Sequence, residues 1–166
     1  VLGVLGLEHT RPVINPSTDT WRVRPEVAAR LDQLAALATD LLPDFLDGLI
    51  RTELEVPTEW AGSPYVRVQY VERGSDRGHP INDFGRGASR WLSIALQVAI
   101  HIMEKDWLTP AVLDDAARKF SGSVLLVDEP EAHLHPSAVA SVVRWCRRVV
   151  SAGFQVVAAS HHEEFL

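Results

Sequence analysis

The sequence is short of features that would assign it to several protein classes. Its 166 residues include one cysteine, Cys146, which excludes a disulfide within the chain and fits a reducing cytosol. The apolar residues 1–7 are too few to span a membrane and lack the basic start of a signal peptide. A net charge of -6 argues against a surface coated for nucleic acid. We therefore expect a cytoplasmic protein without a membrane segment, and 46% hydrophobic residues suffice for one sizeable core.

An apolar run that ends in two carboxylates is the most informative stretch. Residues 124–127 are all aliphatic and Pro130 follows closely, which predicts a strand buried on both faces. Asp128 and Glu129 come where that strand ends. At the carboxyl edge of a parallel sheet, adjacent carboxylates can hold a divalent cation and orient a water molecule. A turn in which Asp128 caps backbone amides and Glu129 is solvated fits these two residues equally well.

A helix and a second strand follow the carboxylates. Pro136 suits the first position of a helix, and apolar residues recur at three- and four-residue steps until Gly153, which is typical of a helix end. The members of that apolar stripe are Val139, Val142, Val143, Cys146, Val149 and Val150. Residues 154–159 predict a strand, and His161 stands just beyond it. Because strands joined through a helix pair in parallel, we expect His161 to approach the two carboxylates.

A glycine-rich segment lies upstream, at residues 85–89. It precedes an apolar stripe with helical spacing, so it is predicted to form the loop at a helix N-terminus. The members of that stripe are Leu92, Ala95, Leu96, Ala99, Ile102 and Met103. Free backbone N–H groups and the helix dipole make such a loop an anion-binding site. Taken alone, a loop of this kind is more often a plain turn than a phosphate cradle.

The order and spacing of these segments resemble those of the ABC-type ATPases, in the group that includes the RecF, SMC and OLD-like (overcoming lysogenization defect) proteins. Residues 125–131 resemble the family's Walker B strand, residues 132–136 its D-loop, and residues 156–161 the strand of its switch histidine. Residues 85–89 are similar to its signature motif, with Gly85 in place of the usual serine. The resemblance implies a P-loop NTPase-like, three-layer α/β fold with a mostly parallel sheet flanked by helices, and a signature helix before the Walker B strand.

The resemblance also implies ATP and Mg²⁺ as ligands and a role for each motif residue. Asp128 would hold Mg²⁺, Glu129 would orient or deprotonate the attacking water, and His161 would sense the γ-phosphate. The residues that would close over the nucleotide of the opposite subunit are Gly85, Arg86, Gly87 and Ser89. Those that would run along the dimer interface are Ala132, His133, Leu134 and His135.

The phosphate loop of such ATPases is missing from the sequence. No Gly-x-x-x-x-Gly-Lys-Ser/Thr pattern occurs, although that loop grips the nucleotide phosphates and lies N-terminal to these segments in the family. The chain opens on Val1 rather than methionine and ends five residues after His161. We therefore expect the C-terminal portion of an ATPase head, inactive without a Walker A lobe on the same or a separate chain. The expected partners are that lobe, a second head in a homodimer and, in the full protein, DNA.

The expected organisation has two parts. Residues 1–64 form a partial N-terminal region with an amphipathic helix that starts near Pro25 and stops at Pro43. Residues 65–166 form the C-terminal ATPase subdomain, which opens with a half-buried strand up to residue 72 and a glycine-rich hairpin or loop at residues 73–80.

The predicted function is ATP binding and hydrolysis in DNA repair or phage defence, and two alternatives stay open. One is a metal-dependent hydrolase, since imidazole and carboxylate bind Zn²⁺ or Mn²⁺. Its ligands would come from His133, His135, His161, His162, Asp128 and Glu129. The other is a non-catalytic interaction module derived from an ATPase head, which the altered signature favours and the retained Glu129 and His161 oppose.

Overall fold

The computed structural model describes residues 25–55, 66–75, 77–108 and 123–165, with residues 105–108 as backbone only. The predictions for residues 1–7 lie outside these ranges. The helices and strands, in chain order, are α1 (Pro25–Asp40), β1 (Ile50–Glu55), β2 (Arg67–Glu72), β3 (Gly78–His79), α2 (Arg86–Leu108), β4 (Val124–Asp128), α3 (Pro136–Ser151) and β5 (Gln155–Ala159). Within the described part of the chain, no helix combines the length and the apolarity that crossing a membrane requires.

The N-terminal helix packs on a three-stranded antiparallel sheet. In α1, Val27, Leu31, Leu34 and Ala38 are buried on one face, as the apolar spacing predicts. The sheet order is β1-β2-β3, and β1 pairs with β2 from Ile50↔Glu72 to Glu55↔Arg67. Strand β2 and its hairpin to β3 were predicted, whereas β1 was not. Its charged residues alternate with three inward-facing ones, which is the pattern of a half-buried strand that the sequence analysis did not use.

The predicted strand, helix and strand are present at the C-terminal side. Strands β4 and β5 pair in parallel from Val124↔Gln155 to Asp128↔Ala159, and α3 connects them. The helix begins at Pro136 as predicted, and Gly153 follows its end with φ +97°, the left-handed conformation that glycine adopts without strain. The α/β class with a parallel strand pair and flanking helices is thereby confirmed.

The expectation that β4 is buried on both faces is wrong. Val127 is 5% exposed, whereas Leu126 is 73% exposed and Val124 is 52% exposed. Leu125 and Val156 pack against core residues of α3, so one face of the sheet is covered. Val157 of β5 is 48% exposed on the other face. Within the described ranges, helices cover only one side of this sheet.

One core joins the two predicted regions. Trp91 of α2 and Trp145 of α3 stack edge to face with ring centroids 5.0 Å apart, and both are at most 1% exposed. The same cluster includes Leu42, Leu46 and Ile50 from the N-terminal side of the expected boundary near residue 64. The β1–β2 pairing crosses that boundary as well. The described residues on its two sides therefore share packing and backbone hydrogen bonds.

Helix α3 also holds the segment that follows α1. The backbone N–H of Phe45 donates to Ser141 Oγ at 3.1 Å, and Arg148 Nη2 donates to the carbonyl of Leu42 at 2.8 Å. Trp145 Nε1 donates to the carbonyl of Leu41. The paired residues are 96 to 106 positions apart in the chain. These bonds anchor residues 41–45 to the helix between the two parallel strands.

Candidate functional site

The carboxylate turn, which we define as residues 128–131, lies at the carboxyl end of β4. The N–H of Glu129 donates to the carbonyl of Ala159 at 2.7 Å, which extends the β4–β5 ladder by one bond. The N–H of Ala132 donates back to the carbonyl of Glu129 at 2.9 Å and closes the turn. Glu129 has φ +44°, a left-handed conformation that costs an L-residue about 1–2 kcal/mol. The chain thus takes a strained bend directly at the second carboxylate.

The two predicted carboxylates are exposed at this edge of the sheet. Among the described residues, neither Asp128 nor Glu129 accepts a hydrogen bond on its carboxylate. The arrangement in which Asp128 caps backbone amides is therefore absent from the described part of the chain. Both side chains remain accessible to a ligand.

His161 stands at the same edge, just after β5. Its N–H donates to Glu131 Oε1 at 3.0 Å, so a side chain of the carboxylate turn holds the backbone that carries the histidine. The register Asp128↔Ala159 places the two strand ends side by side. The structure therefore brings Asp128, Glu129 and His161 together at one sheet edge.

Glu131 is a component of this edge that the sequence analysis did not name. Burial alone would raise the pKa of Glu131, but hydrogen bonds from its own N–H, the N–H of His161 and the Ser160 side chain, together with the charge of His162, lower it below the ordinary value. Its second oxygen, Oε2, is buried without a hydrogen-bond partner in the described residues. A third acid immediately after Pro130 was the signal for this role.

The glycine-rich segment differs from its prediction in one respect. Helix α2 begins at Arg86, so Gly85 precedes the helix and residues 86–89 form its first turn rather than a loop. The Ser89 hydroxyl lies 2.8 Å from the carbonyl of Ile81 and 3.0 Å from that of Phe84, which directs it back toward the preceding turn. The first amides of an α-helix have no acceptor within the helix. Gly85, Arg86 and Gly87 therefore lie where an anion can bind.

The start of α2 packs directly on the segment after the carboxylate turn. A Cβ added at Gly87 would lie 2.4 Å from the carbonyl oxygen of His133 and 2.8 Å from Leu134 Cδ2. Only glycine permits this approach. One turn further, Arg90 Nη1 donates to the carbonyl of Glu129 at 2.7 Å, and Arg90 Nη2 donates to the carbonyl of Asp128. The sequence analysis missed this contact, because 38 residues separate its partners.

The four predicted interface residues, Ala132 to His135, connect the carboxylate turn to α3. His133 has φ +63°, and the side chains of His133 and His135 are both exposed. His135 is the N-cap of α3, and its Nδ1 accepts from the Ser137 N–H at 3.3 Å and lies 2.8 Å from Ser137 Oγ. Within the ranges that the structure describes, no three His, Cys, Asp or Glu side chains converge on a metal site. The metal-hydrolase alternative therefore has no ligand cluster there.

The donor chemistry of the edge suits the ligands of an ATPase. Mg²⁺ prefers carboxylate oxygen and keeps several waters, so the exposed Asp128 fits it without further protein ligands. The N-terminus of α2 offers backbone N–H groups to a phosphate.

Comparisons with known proteins identify the family of the chain. Residues 7–166 match the model of a family described as "AAA domain, putative AbiEii toxin, Type IV TA system". The Old nuclease of Escherichia phage P2 is 30% identical over 86 residues, which are 52% of this chain and 13% of that protein. The chain thus spans only a small part of that relative.

Two solved structures have a similar fold. One comes from work on ATP-driven dimerization and DNA stimulated activation of SMC ATPases, with a TM-score of 0.53 and 15% identity, and the match covers 82% of this chain and 71% of that one. The other is an SmcHead bound to the C-winged helix domain of ScpA, with a TM-score of 0.56 and 14% identity over 84% of this chain and 37% of that one. At these identities the matches establish a shared fold.

Proposed function

The chain belongs to this family of AAA domains, and from that membership we propose that it forms part of an ATPase head that binds and hydrolyses ATP. The observation that carries the proposal is the meeting of Asp128, Glu129 and His161 at one edge of the parallel sheet, where Glu131 links the two strand ends. Carboxylates at the carboxyl end of parallel strands can hold a divalent cation and orient the water that attacks a phosphoryl group.

Each residue at the edge has a distinct proposed role. Asp128 would hold Mg²⁺, and the bound ion would supply neutralising charge to the phosphates. Glu129 accepts a hydrogen bond, or a proton, from the attacking water, which an exposed carboxylate with no partner among the described residues is free to do. His161 donates a hydrogen bond to the terminal phosphate.

The N-terminal end of α2 is the proposed contact to the nucleotide of a second head. Gly85, Arg86 and Gly87 offer backbone N–H groups and a guanidinium to phosphate oxygens. Ser89 stabilises this helix end, because its hydroxyl donates to the backbone carbonyl of Ile81 or Phe84. Residues 132–135, of which His133 and Leu134 lie against Gly87, line the same dimer interface. Because an SMC relative in fold undergoes ATP-driven dimerization, we propose a homodimer of heads here too.

The exposed face of the parallel sheet is the proposed seat of the lobe that carries the phosphate loop. Leu126, Val124 and Val157 present aliphatic side chains there. Each such side chain contributes about 1.5–3 kcal/mol when it becomes fully buried. The lobe can belong to the same chain or to another one. The match to Old nuclease supports a role in phage defence or DNA repair, with DNA met by the complete protein.

The test is ATP hydrolysis by this chain alone and with the phosphate-loop lobe, supplied on the same chain or added in trans. We expect turnover only when the lobe is present. Glu129→Gln should abolish turnover and leave an ATP-bound dimer that gel filtration detects. Glu163→Gln removes an exposed carboxylate just beyond the same edge and should leave turnover unchanged.

Two outcomes would redirect the proposal. An assembled head that binds ATP without hydrolysing it would indicate the interaction module. Binding of Zn²⁺ or Mn²⁺ by the chain alone, with no response to ATP, would indicate the metal hydrolase.

A further inference from the structure

Two neighbouring side chains of α2 bind the backbone of the carboxylate turn. Arg90 is half-buried, and its two terminal nitrogens donate to the successive carbonyls of Asp128 and Glu129. Trp91, which is fully buried, donates from Nε1 to the next carbonyl, that of Pro130, at 3.1 Å. Three consecutive carbonyl groups are thus held by one helix.

The conformation that these bonds hold is a strained one. Glu129 has φ +44°, and such a residue stays in the left-handed region only when its surroundings enforce it. On one side its N–H is bound to the carbonyl of Ala159, and on the other its carbonyl is bound by Arg90. The Glu129 side chain is exposed and, within the described residues, forms no hydrogen bond of its own. The backbone conformation therefore sets the direction of the Cα–Cβ bond from which this carboxylate extends.

Resting on the proposed function, we propose that Arg90 is a positioning residue for Glu129. By holding the carbonyls of Asp128 and Glu129, it keeps the turn in the left-handed bend that points the Glu129 carboxylate at the attacking water. Arg90 does not itself touch the substrate.

The same contact couples two parts of the head. Arg90 follows the proposed nucleotide-contacting end of α2 by one helical turn, and Gly87 of that end already contacts the His133 carbonyl. A displacement of this helix end by the nucleotide of the partner head is therefore transmitted to the backbone of Glu129.

Arginine is the residue type that this geometry requires. Its guanidinium is a planar fork with several donors, so it reaches two adjacent carbonyls at once. Lysine keeps the positive charge and most of the stem but presents a single compact ammonium. Arg90→Lys therefore separates the effect of charge from the effect of two-point binding.

The first experiment measures kcat and KM for ATP in the assembled head, expressed per head that binds ATP. Both Arg90→Lys and Arg90→Ala should lower kcat roughly ten- to hundredfold with KM changed less than about twofold, since small misplacements of a catalytic group have effects of this size. Arg147→Ala, a matched change at an exposed arginine of α3, should leave both constants unchanged. A wild-type kcat in the two Arg90 variants would overturn the inference.

The second experiment measures amide hydrogen exchange on this chain without nucleotide. Both Arg90 variants should exchange faster at residues 129–134 and at the wild-type rate in α1. If Arg90→Ala does not fold, Arg90→Lys alone provides the test. Unchanged exchange at residues 129–134 would overturn the inference whatever the ATPase result. A wild-type head without Glu129-dependent hydrolysis would overturn the proposed function instead, and with it the catalytic part of this inference.

Discussion

The two sheets of this molecule carry different kinds of side chain on their exposed faces. On β1, the outward residues Arg51, Glu53 and Glu55 are charged and exposed. Arg51 pairs with Glu53 at 2.9 Å, and Arg67 of β2 pairs with Glu55 at 3.8 Å. On the parallel sheet, the outward residues of β4 before Asp128 are aliphatic, and Leu126 is the most exposed of them. The first face is adapted to water, whereas the second resembles the inside of a protein.

This difference indicates which surface is incomplete. Parallel sheets in proteins are normally covered on both faces, and a contiguous apolar patch on a surface marks an interaction site. The carboxylate turn lies at the end of the strand whose outer face is bare. The carboxylate turn and the apolar face that we propose as the seat of the phosphate-loop lobe are therefore parts of one strand.

The largest loss of stability is expected from a substitution on the helix-covered side of the parallel sheet. Trp91→Ala should lower the free energy of unfolding by about 3–5 kcal/mol, because it removes a fully buried ring and the bond to the Pro130 carbonyl. Urea denaturation followed by circular dichroism measures this. Trp91→Phe keeps most of the ring packing and should cost less. A loss below about 1 kcal/mol for Trp91→Ala would show that the covered and exposed faces of the parallel sheet differ less in their contribution to stability than their burial indicates.

Two adjacent residues of β4 give the sharpest comparison of the faces. In the chain alone, Val127→Ala should cost about 2 kcal/mol, whereas Leu126→Ala should change stability by less than about 0.5 kcal/mol. With the covering lobe present, Leu126→Ala should weaken its association roughly tenfold or more, since a buried leucine contributes about 1.5–3 kcal/mol. Denaturation curves and lobe titrations measure the two effects. Equal losses in the chain alone would contradict the comparison.

A pair of glycines tests the contact between α2 and the residues after the carboxylate turn. Gly87→Ala should destabilise the fold by about 1–2 kcal/mol, because the new methyl group would lie 2.4 Å from the His133 carbonyl. Gly85→Ala is the control, since an added Cβ there meets nothing within 4 Å. Thermal denaturation compares the two variants. The same loss in both would remove the argument for close packing at Gly87.

The smallest expected effect concerns the stability of the fold at acid pH. The folded-state pKa of Glu131 lies below its ordinary value of 4.5, so its ionised form stabilises the fold above that pH, and this contribution is lost as the pH falls through the folded-state pKa. Urea midpoints measured from pH 7 downward should therefore drop less in Glu131→Gln than in the wild type. Glu163→Gln should follow the wild-type curve. Parallel curves for all three proteins would exclude Glu131 as a link between the strand ends.

Local patterns accounted for much of the fold. Pro136, Gly153 and the apolar stripes located the helices, and the strand ends that carry Asp128 and His161 followed from the rule for parallel connections. Strand β1 was missed although Ile50, Thr52 and Leu54 alternate with charged residues, which is the two-residue period of a half-buried strand. The sequence analysis also failed to predict that one face of β4 is exposed. An aliphatic run indicates what a strand will bury in its final environment, and the described residues supply only one side of that environment.

The sequence predicted where the candidate site residues lie better than it predicted which residues contact them. A carboxylate after a strand and a histidine after the next one are visible in the sequence. The bonds from Arg90 and Trp91 join segments that are far apart in the chain, and no local pattern reports such a pairing. The positive φ of Glu129 was likewise unpredictable, because glutamate has no preference for that conformation.

The anchoring of residues 41–45 by α3 has a consequence for how the protein is made. The partners lie 96 to 106 residues apart, so the ribosome synthesises Leu42 long before the helix that binds its carbonyl. Contacts of such separation form slowly, since a long loop must close first. Until α3 emerges, the apolar residues of this early segment remain uncovered. Completion of this part of the core therefore waits until α3 has been synthesised, and the apolar residues left uncovered until then favour aggregation.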